Sequence, residues 1–254
     1  MPDEGLFDIH CHIVPSVDDG AGSLEEALKI LQMEYDQGVR TIICTPHFRK
    51  KMFEAPLPKI REQFKLLRAA AWEMNKELRL YLGCEFHANM EMLPSLKAHR
   101  GYSMAGSRYV LTEFSGSTEA SYIKERLYSL LSNGYKPIVA HIERYECMRK
   151  DIDFVEDMID MGALMQVNAD SLIGKDGFGT KRYCSKLLQA GDIHFVGSDC
   201  HGSKDRISRI GEAYDFVCHK AGKDYAETIF KHNPQKILAD SKTRRENKQE
   251  ERCR

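Results

Sequence analysis

Short apolar runs alternate along this chain with longer stretches of mixed polarity. The runs fall at 6–11, 40–45, 79–84, 109–113, 136–141, 164–168 and 193–198. Thr41-Ile42-Ile43-Cys44 and Tyr109-Val110-Leu111-Thr112 are nearly continuously apolar, as strands buried on both faces require. The segments between them read as helices. Ser23-Leu24-Glu25-Glu26 forms a capping box, Leu28, Leu31 and Tyr35 follow at helical spacing, and Gly38 closes the segment. Further helices are expected at 58–77, after Pro56 and Pro58, and near 119–133, 151–161, 180–190, 205–221 and 223–231. Strict strand–helix alternation implies α/β architecture with a parallel sheet. Seven such units without a GxGxxG or P-loop fingerprint favour a closed (β/α)7 barrel over an open nucleotide-binding sheet.

The 254 residues suit one domain of this kind. The pattern fades after Asp240. The segment 241–254 has six Lys or Arg, three Asp or Glu and no apolar stripe, so a charged, disordered tail is expected behind a domain of residues 1–240. A net charge of -1 argues against a basic nucleic-acid-binding face. No apolar run approaches the ~20 residues a membrane span needs, so no membrane insertion is expected. Met1-Pro2-Asp3-Glu4 lacks the basic-then-apolar order of a secretion signal, which makes the cytoplasm the default setting. The eight cysteines include no Cys-x-x-Cys pair, and free thiols are expected.

Chemistry gathers where these strands end. In an α/β barrel the C-terminal strand ends form one functional face. Here they carry His10 and His12, then His47, Glu85, Glu113, His141 with Arg144, and Asp199 with His201. The loop after the first strand adds Asp18 and Asp19, and the sixth strand ends in Gln166-Val167-Asn168. Imidazole and carboxylate together suit divalent transition metals. Five His, two Glu and two or three Asp exceed what one ion can hold, so two or three ions are implied, with Glu85 as a bridging carboxylate. Such clusters activate water and clamp the oxygens of a displacement, which points to phosphoester hydrolysis. Arg144 and Arg206 follow ligand-type histidines closely and present planar forks for phosphate oxygens. Arg209 competes with Arg206 for that role. The Arg49-Lys50-Lys51 run after His47 reads as a basic lip at the barrel mouth, and Phe48, Met52 and Phe53 interleave there to hold an aromatic ring.

The motifs His10-Cys11-His12, Val17-Asp18-Asp19-Gly20, Thr45-Pro46-His47, Glu113-Phe114-Ser115, Ala140-His141-Ile142-Glu143-Arg144-Tyr145, Gln166-Val167-Asn168 and Ser198-Asp199-Cys200-His201 resemble the polymerase-and-histidinol-phosphatase (PHP) superfamily. Within it they resemble the manganese-dependent protein-tyrosine phosphatases of bacterial capsule and exopolysaccharide loci. The resemblance runs from residue 6 to about 240. It implies a distorted TIM-like barrel and hydrolysis of phosphotyrosine on the tail of a cognate bacterial tyrosine kinase. It further implies a metal set of His10, His12, Asp19, His47, Glu85, Glu113, His141, Asp199 and His201. Arg144 and Arg206 match phosphate-contacting arginines, and Arg49, Lys50 and Phe48 are the expected substrate-binding residues. Two or three Mn²⁺ ions are the implied cofactors, with Fe, Zn, Co or Mg as substitutes. Homo-oligomerisation is left open. The alternatives are a small-molecule phosphatase of the same superfamily, such as a histidinol-phosphate phosphatase, or a non-catalytic metal-bound module.

One motif points elsewhere. Cys200-His201-Gly202-Ser203-Lys204-Asp205-Arg206 satisfies Cys-x5-Arg, the signature of cysteine-dependent tyrosine phosphatases. That mechanism needs an accessible thiolate, and Asp199 beside Cys200 opposes one. It also leaves the other ligand-type residues without a role.

Overall fold

A computed structural model describes residues 5–98 and 102–252. Among these residues there are nine strands: β1 (Leu6–Cys11), β2 (Val39–Cys44), β3 (His47–Phe48), β4 (Arg79–Leu82), β5 (Glu85–His87), β6 (Tyr109–Glu113), β7 (Lys136–Val139), β8 (Leu164–Asn168) and β9 (Phe195–Gly197). The helices are α1 (Leu24–Asp36), α2 (Leu57–Met74), α3 (Met92–Lys97), α4 (Ala120–Leu131), α5 (Glu146–Lys150), α6 (Ile152–Asp160), α7 (Ala169–Ile173), α8 (Phe178–Ala190), α9 (Ile210–Ala221), α10 (Lys223–Glu227) and α11 (Asn233–Arg252). All seven strand pairings are parallel.

The pairings form two sheets, β1-β2-β4 and β3-β5-β6-β7-β8-β9. They are halves of one curled wall. The second expected strand is cut at Thr45-Pro46, because a proline has no N–H to give the ladder. The third is cut at Gly83-Cys84, where a Cβ on Gly83 would lie 3.0 Å from Met104 Sδ and 3.1 Å from Ile43 Cγ2. Gly83 N and Glu85 N still donate to Cys44 O and Pro46 O, carrying the wall across the break. At the other seam, a bridge joins Cys11 to Cys200. There His12 N donates to Cys200 O and Asp199 N to His10 O. The result is a distorted barrel of seven staves, two of them broken near their C-terminal ends.

Apolar packing fills both sides of this wall. Phe7, Ile9, Ile43, Leu111, Ile138 and Phe195 form one buried cluster, joined by Met104 and Ile237. A larger cluster lies against the surrounding helices, including Leu31, Leu67, Leu127, Val155 and Leu187. Each fully buried aliphatic or aromatic side chain contributes about 1.5–3 kcal/mol, so the scaffold under the strand ends is rigid.

Three expectations are corrected. The capping box at Ser23 is only half formed. Ser23 Oγ accepts from Glu26 N at 3.2 Å, but the Glu26 carboxylate accepts from Ser203 N at 2.7 Å and so tethers the loop after β9. The helix expected at 205–221 begins at Ile210, and residues 202–209 form that loop. Finally, the tail is not structureless from Ser241: α11 runs on to Arg252. Buried Ser241 Oγ donates to Ala105 O at 2.6 Å and Arg244 to Ser107 O at 2.6 Å. Lys, Arg, Gln and Glu are good helix formers, so continuation needs no apolar stripe once the first turns are docked.

Candidate metal centre

The site is built where strands end. β1 delivers His10 and His12, β3 His47, β5 Glu85, β6 Glu113, the turn after β7 His141, and the turn after β9 Asp199 and His201. Asp19 comes from the loop between β1 and α1. Two glycines make this crowding feasible. A Cβ on Gly197 would stand 2.5 Å from His10 Cβ, and one on Gly20 1.9 Å from His12 O. His141, Asp199 and Arg206 all have left-handed backbone, with φ of 34°, 53° and 49°. Non-glycine residues hold that conformation only where surroundings over-determine it, as at functional sites.

The structure brings all nine expected ligand residues together. His10, His12, Glu85 and Asp199 form one group, His12, Asp19, His47 and His201 a second, and His47, Glu85 and Glu113 a third. Within each group one potential ligand atom per residue lies within 4.8 Å of the others. Glu85 Oε2 is the hub, 3.3 Å from His10 Nε2, 3.2 Å from His12 Nε2 and 2.9 Å from His47 Nδ1. Its other oxygen lies 2.8 Å from His141 Nε2. Asp19 Oδ1 sits 3.5 Å from both His47 Nε2 and His201 Nε2.

These groups are positioned from behind. Asp18, not Asp19, orients His12: its Oδ2 is 2.8 Å from His12 Nδ1 and also accepts from His47 N. Burial works to raise the Asp18 pKa, but His12 and the backbone N–H groups of His47 and Gly20 outweigh it and hold it at about 2. Gln166 Oε1 faces His10 Nδ1 at 3.2 Å and accepts from His141 N at 2.9 Å. Its amide donates to Asn168 Oδ1, and Asn168 in turn donates to Asp199 Oδ2 at 2.9 Å. Tyr145 Oη lies 3.3 Å from His141 Nδ1, and His201 Nδ1 donates to Asp199 O at 2.9 Å. In the sequence, Gln166, Asn168 and Tyr145 stand within the motifs but carry no role of their own. Their only signal was polarity at a strand end or beside a ligand.

The electrostatics suit cations. Of nine buried side-chain polar atoms without a hydrogen-bond partner among the described residues, four, His47 Nδ1, Glu85 Oε2, Glu113 Oε2 and His201 Nε2, lie in the cluster. Buried polar atoms are normally satisfied, and these four are imidazole nitrogens and carboxylate oxygens, the atom types that ligate divalent metals. Burial opposes charge on His10 and His12, yet Glu85 with Asp199 on one, and Asp18 with Glu85 on the other, raise both above the ordinary imidazole value. Burial and the neighbouring Glu85 push Glu113 up to about 8. Burial lowers His141, and burial with the neighbouring His12 takes His201 down to about 3, so it is on His10 and His12 that divalent ions would replace protons. The donor set therefore fits hard-to-borderline divalent metals.

Both expected arginines stand at the rim. Arg144 Nη2 lies 2.7 Å from Asp199 Oδ2, and Arg206 Nη2 3.2 Å from Asp199 Oδ1. Arg209 is engaged elsewhere, with both oxygens of Asp170. Arg144 opens onto a cavity of about 340 Å³ lined also by Arg49, Glu113, Ser115, Gly116 and His141. Cys200 points away from all of this. It is 1% exposed, with Sγ 4.0 Å from buried Glu34 Oε1, so no thiolate is presented for a cysteine mechanism.

The chain resembles known proteins over most of its length. It is 38% identical over 240 residues to the tyrosine-protein phosphatase CpsB of Streptococcus pneumoniae, covering 92% of this chain and 99% of that one. A solved structure from work on YwqE of Bacillus subtilis and CpsB of S. pneumoniae, described as unique metal-dependent tyrosine phosphatases, superposes with a TM-score of 0.86. It has 29% identity and covers 92% of this chain and 94% of that one. A histidinol phosphate phosphatase from Lactococcus lactis, with 14% identity, a TM-score of 0.55 and coverage of 85% and 94%, shares the fold. Residues 6–239 match the family described as capsular polysaccharide synthesis, CpsB/CapC. With the match spanning every strand and every residue of the centre, this chain belongs to the CpsB/CapC family.

Proposed function

We propose that this protein is a metal-dependent protein-tyrosine phosphatase. Its substrate is phosphotyrosine on a bacterial tyrosine kinase that governs capsular or exopolysaccharide synthesis, and its setting is the cytoplasm. The observation that carries this reading is the set of three overlapping ligand groups sharing Glu85, His12 and His47, with arginines at the rim. Family membership and the resemblance to named tyrosine phosphatases support it.

Together His10, His12, Asp19, His47, Glu85, Glu113, His141, Asp199 and His201 would hold the ions, each imidazole serving one ion and His12 only through Nε2 because Asp18 takes its Nδ1, while the carboxylate of Glu85 could be shared. Manganese is our choice. Bound there, divalent ions supply Lewis acidity toward phosphoryl oxygens and lower the pKa of water. The chain's own residues do the rest. Arg144 and Arg206 now grip opposite oxygens of Asp199, and an incoming phosphate competes for the same forks. Their planar N–H pairs would fix its orientation and offset charge that builds on its oxygens. Arg49 approaches from the hairpin side of the same cavity. Phe48 and Lys50, also assigned to substrate binding, face a neighbouring cavity.

Phosphate release from a phosphotyrosyl kinase-tail peptide and from histidinol phosphate, with and without Mn²⁺, tests the reading. We expect Mn²⁺-dependent hydrolysis of the peptide. Cys200→Ser should keep most of it, while Asp199→Ala should lose at least ~100-fold, the scale for a disrupted metal site. Preference for histidinol phosphate would replace this reading by the small-molecule one. Inactivity of a folded, metal-loaded Cys200→Ser protein would restore the thiol mechanism.

A further inference from the structure

A second cavity, of about 400 Å³, begins at Phe48 beside His47 and is lined by none of the nine ligand-type residues and neither rim arginine. Its walls are Phe48 from β3, the Ala55-Pro56-Leu57-Pro58 entry to α2, and Asn89, Glu91 and Ser95 around the start of α3. The partition between the two cavities is a single short hairpin. Arg49 N donates to Phe53 O, and Phe53 N to Arg49 O. Arg49 lines the phosphate cavity, and the next residue, Lys50, lines the second one. The hairpin is anchored to the centre itself: Phe53 stacks on His47 with centroids 4.9 Å apart, and Phe48 packs edge-on to Phe86, which follows Glu85.

The two cavities thus lie on either side of this hairpin. An extended peptide advances ~3.3–3.6 Å per residue, so a chain with its phosphotyrosine in the first cavity brings a near neighbour over the second. The lining selects the neighbour. Phe48, Ala55, Pro56, Leu57 and Pro58 make an apolar surface. The rim carries two carboxylates, Glu54 and Glu91, against one lysine, Lys50, which is tied to Glu91 at 2.7 Å. An acidic side chain would meet repulsion there, whereas an apolar one would bury its surface.

Resting on the phosphatase reading, we propose that this second cavity is a specificity subsite that seats an apolar side chain flanking the phosphotyrosine of a peptide substrate. A small aryl phosphate fills only the first cavity and ignores the second. A peptide uses both, and the gain appears in KM because the subsite touches no reacting atom.

The experiment uses the metal-loaded full chain and phosphotyrosyl peptides carrying Leu, Glu or Gly at each position within three residues of the phosphotyrosine. With the unmodified protein, one position should show a KM about tenfold lower for Leu than for Gly, the scale of burying one apolar side chain, with Glu no better than Gly. Ala55→Trp, which fills the cavity, should erase that preference while p-nitrophenyl phosphate turnover stays within about twofold. The peptide series on unmodified protein stands even if Ala55→Trp fails to fold. Equal KM for Leu, Glu and Gly at every position overturns the subsite, as does a preference that survives in folded Ala55→Trp. Absence of peptide hydrolysis alongside p-nitrophenyl phosphate hydrolysis would instead remove the protein-tyrosine substrate reading on which the subsite rests, leaving a small-molecule phosphatase.

Discussion

At the residue scale, the centre depends on side chains that bind no ion. Gln166 is the clearest case, because one buried amide faces His10 Nδ1, fixes the His141 backbone and reaches Asp199 through Asn168. Its oxygen holds the hydrogen on His10 Nδ1 and so leaves Nε2 as the ligand atom. Gln166→Leu, similar in bulk and without polar atoms, should weaken metal affinity by 10–100-fold or thereabouts, the range for lost orienting partners. Activity should return at high Mn²⁺. Metal titration followed by activity checks this: unchanged affinity would show that the amide only fills space. Adjacent Asp18 and Asp19 teach the same lesson. By residue type and spacing they are equivalent, and only the family resemblance singled out Asp19; the turn through Gly20 sends Asp18 behind His12 and leaves Asp19, 44% exposed, facing His47 and His201.

At the scale of elements, α11 is where pattern reading and structure part. The segment beyond Asp240 lacks an apolar stripe, yet Ser241 is buried and, with Arg244, bonds the 105–107 turn. A chain ending at Asp240 retains the Arg108–Asp240 pair but loses both hydrogen bonds. At about 1 kcal/mol each, and ~2–4 °C per kcal/mol for a chain of this size, its Tm should fall by several degrees. Calorimetry on the truncated protein measures this, and an unchanged Tm would make the last turns dispensable. The same turn underlies the barrel, since Met104 packs beneath β1 and β2 with Phe7 and Ile43.

At the scale of the whole molecule, charge in the centre couples metal, pH and stability. His10 and His12 sit above the ordinary imidazole value, so without metal their protonated forms add stability that is present below pH ~6.5 and lost as pH rises through the folded values. Against the effect of burial, His10, His12 and His141 depress Glu85, and His10, Arg144 and His141 depress Asp199. Their contribution is present above the ordinary carboxylate range and lost in acid. Metal must displace the imidazole protons, so its apparent affinity should fall steadily as pH drops from 8 to 6, with proton release on binding. Isothermal titration with Mn²⁺ in buffers of different ionisation enthalpy reads that release. Binding with no protons released would contradict the raised imidazole values. Saturating Mn²⁺ should also raise Tm, and EDTA reverse it, because ligand binds only the folded state.

The sequence by itself determined the seven-unit α/β pattern and the residues clustered at its strand ends. Apolar period and ligand type are local properties, legible wherever a strand such as 109–113 ends in Glu113. It also marked Gly20 and Gly197 as glycines without saying what they make room for. Tertiary structure decided the rest. It broke two staves at Pro46 and Gly83, and it closed the barrel through Cys11 and Cys200. It turned Cys200 toward buried Glu34 and Asp199 toward His10 and the rim arginines, set Asp18 behind His12 and Asp19 opposite His47 and His201, and placed Arg49 and Lys50 in different cavities. Each of these depends on which distant segment arrives opposite a residue. Packing and hydrogen-bond satisfaction across tens to hundreds of residues fix that, and no local pattern encodes it.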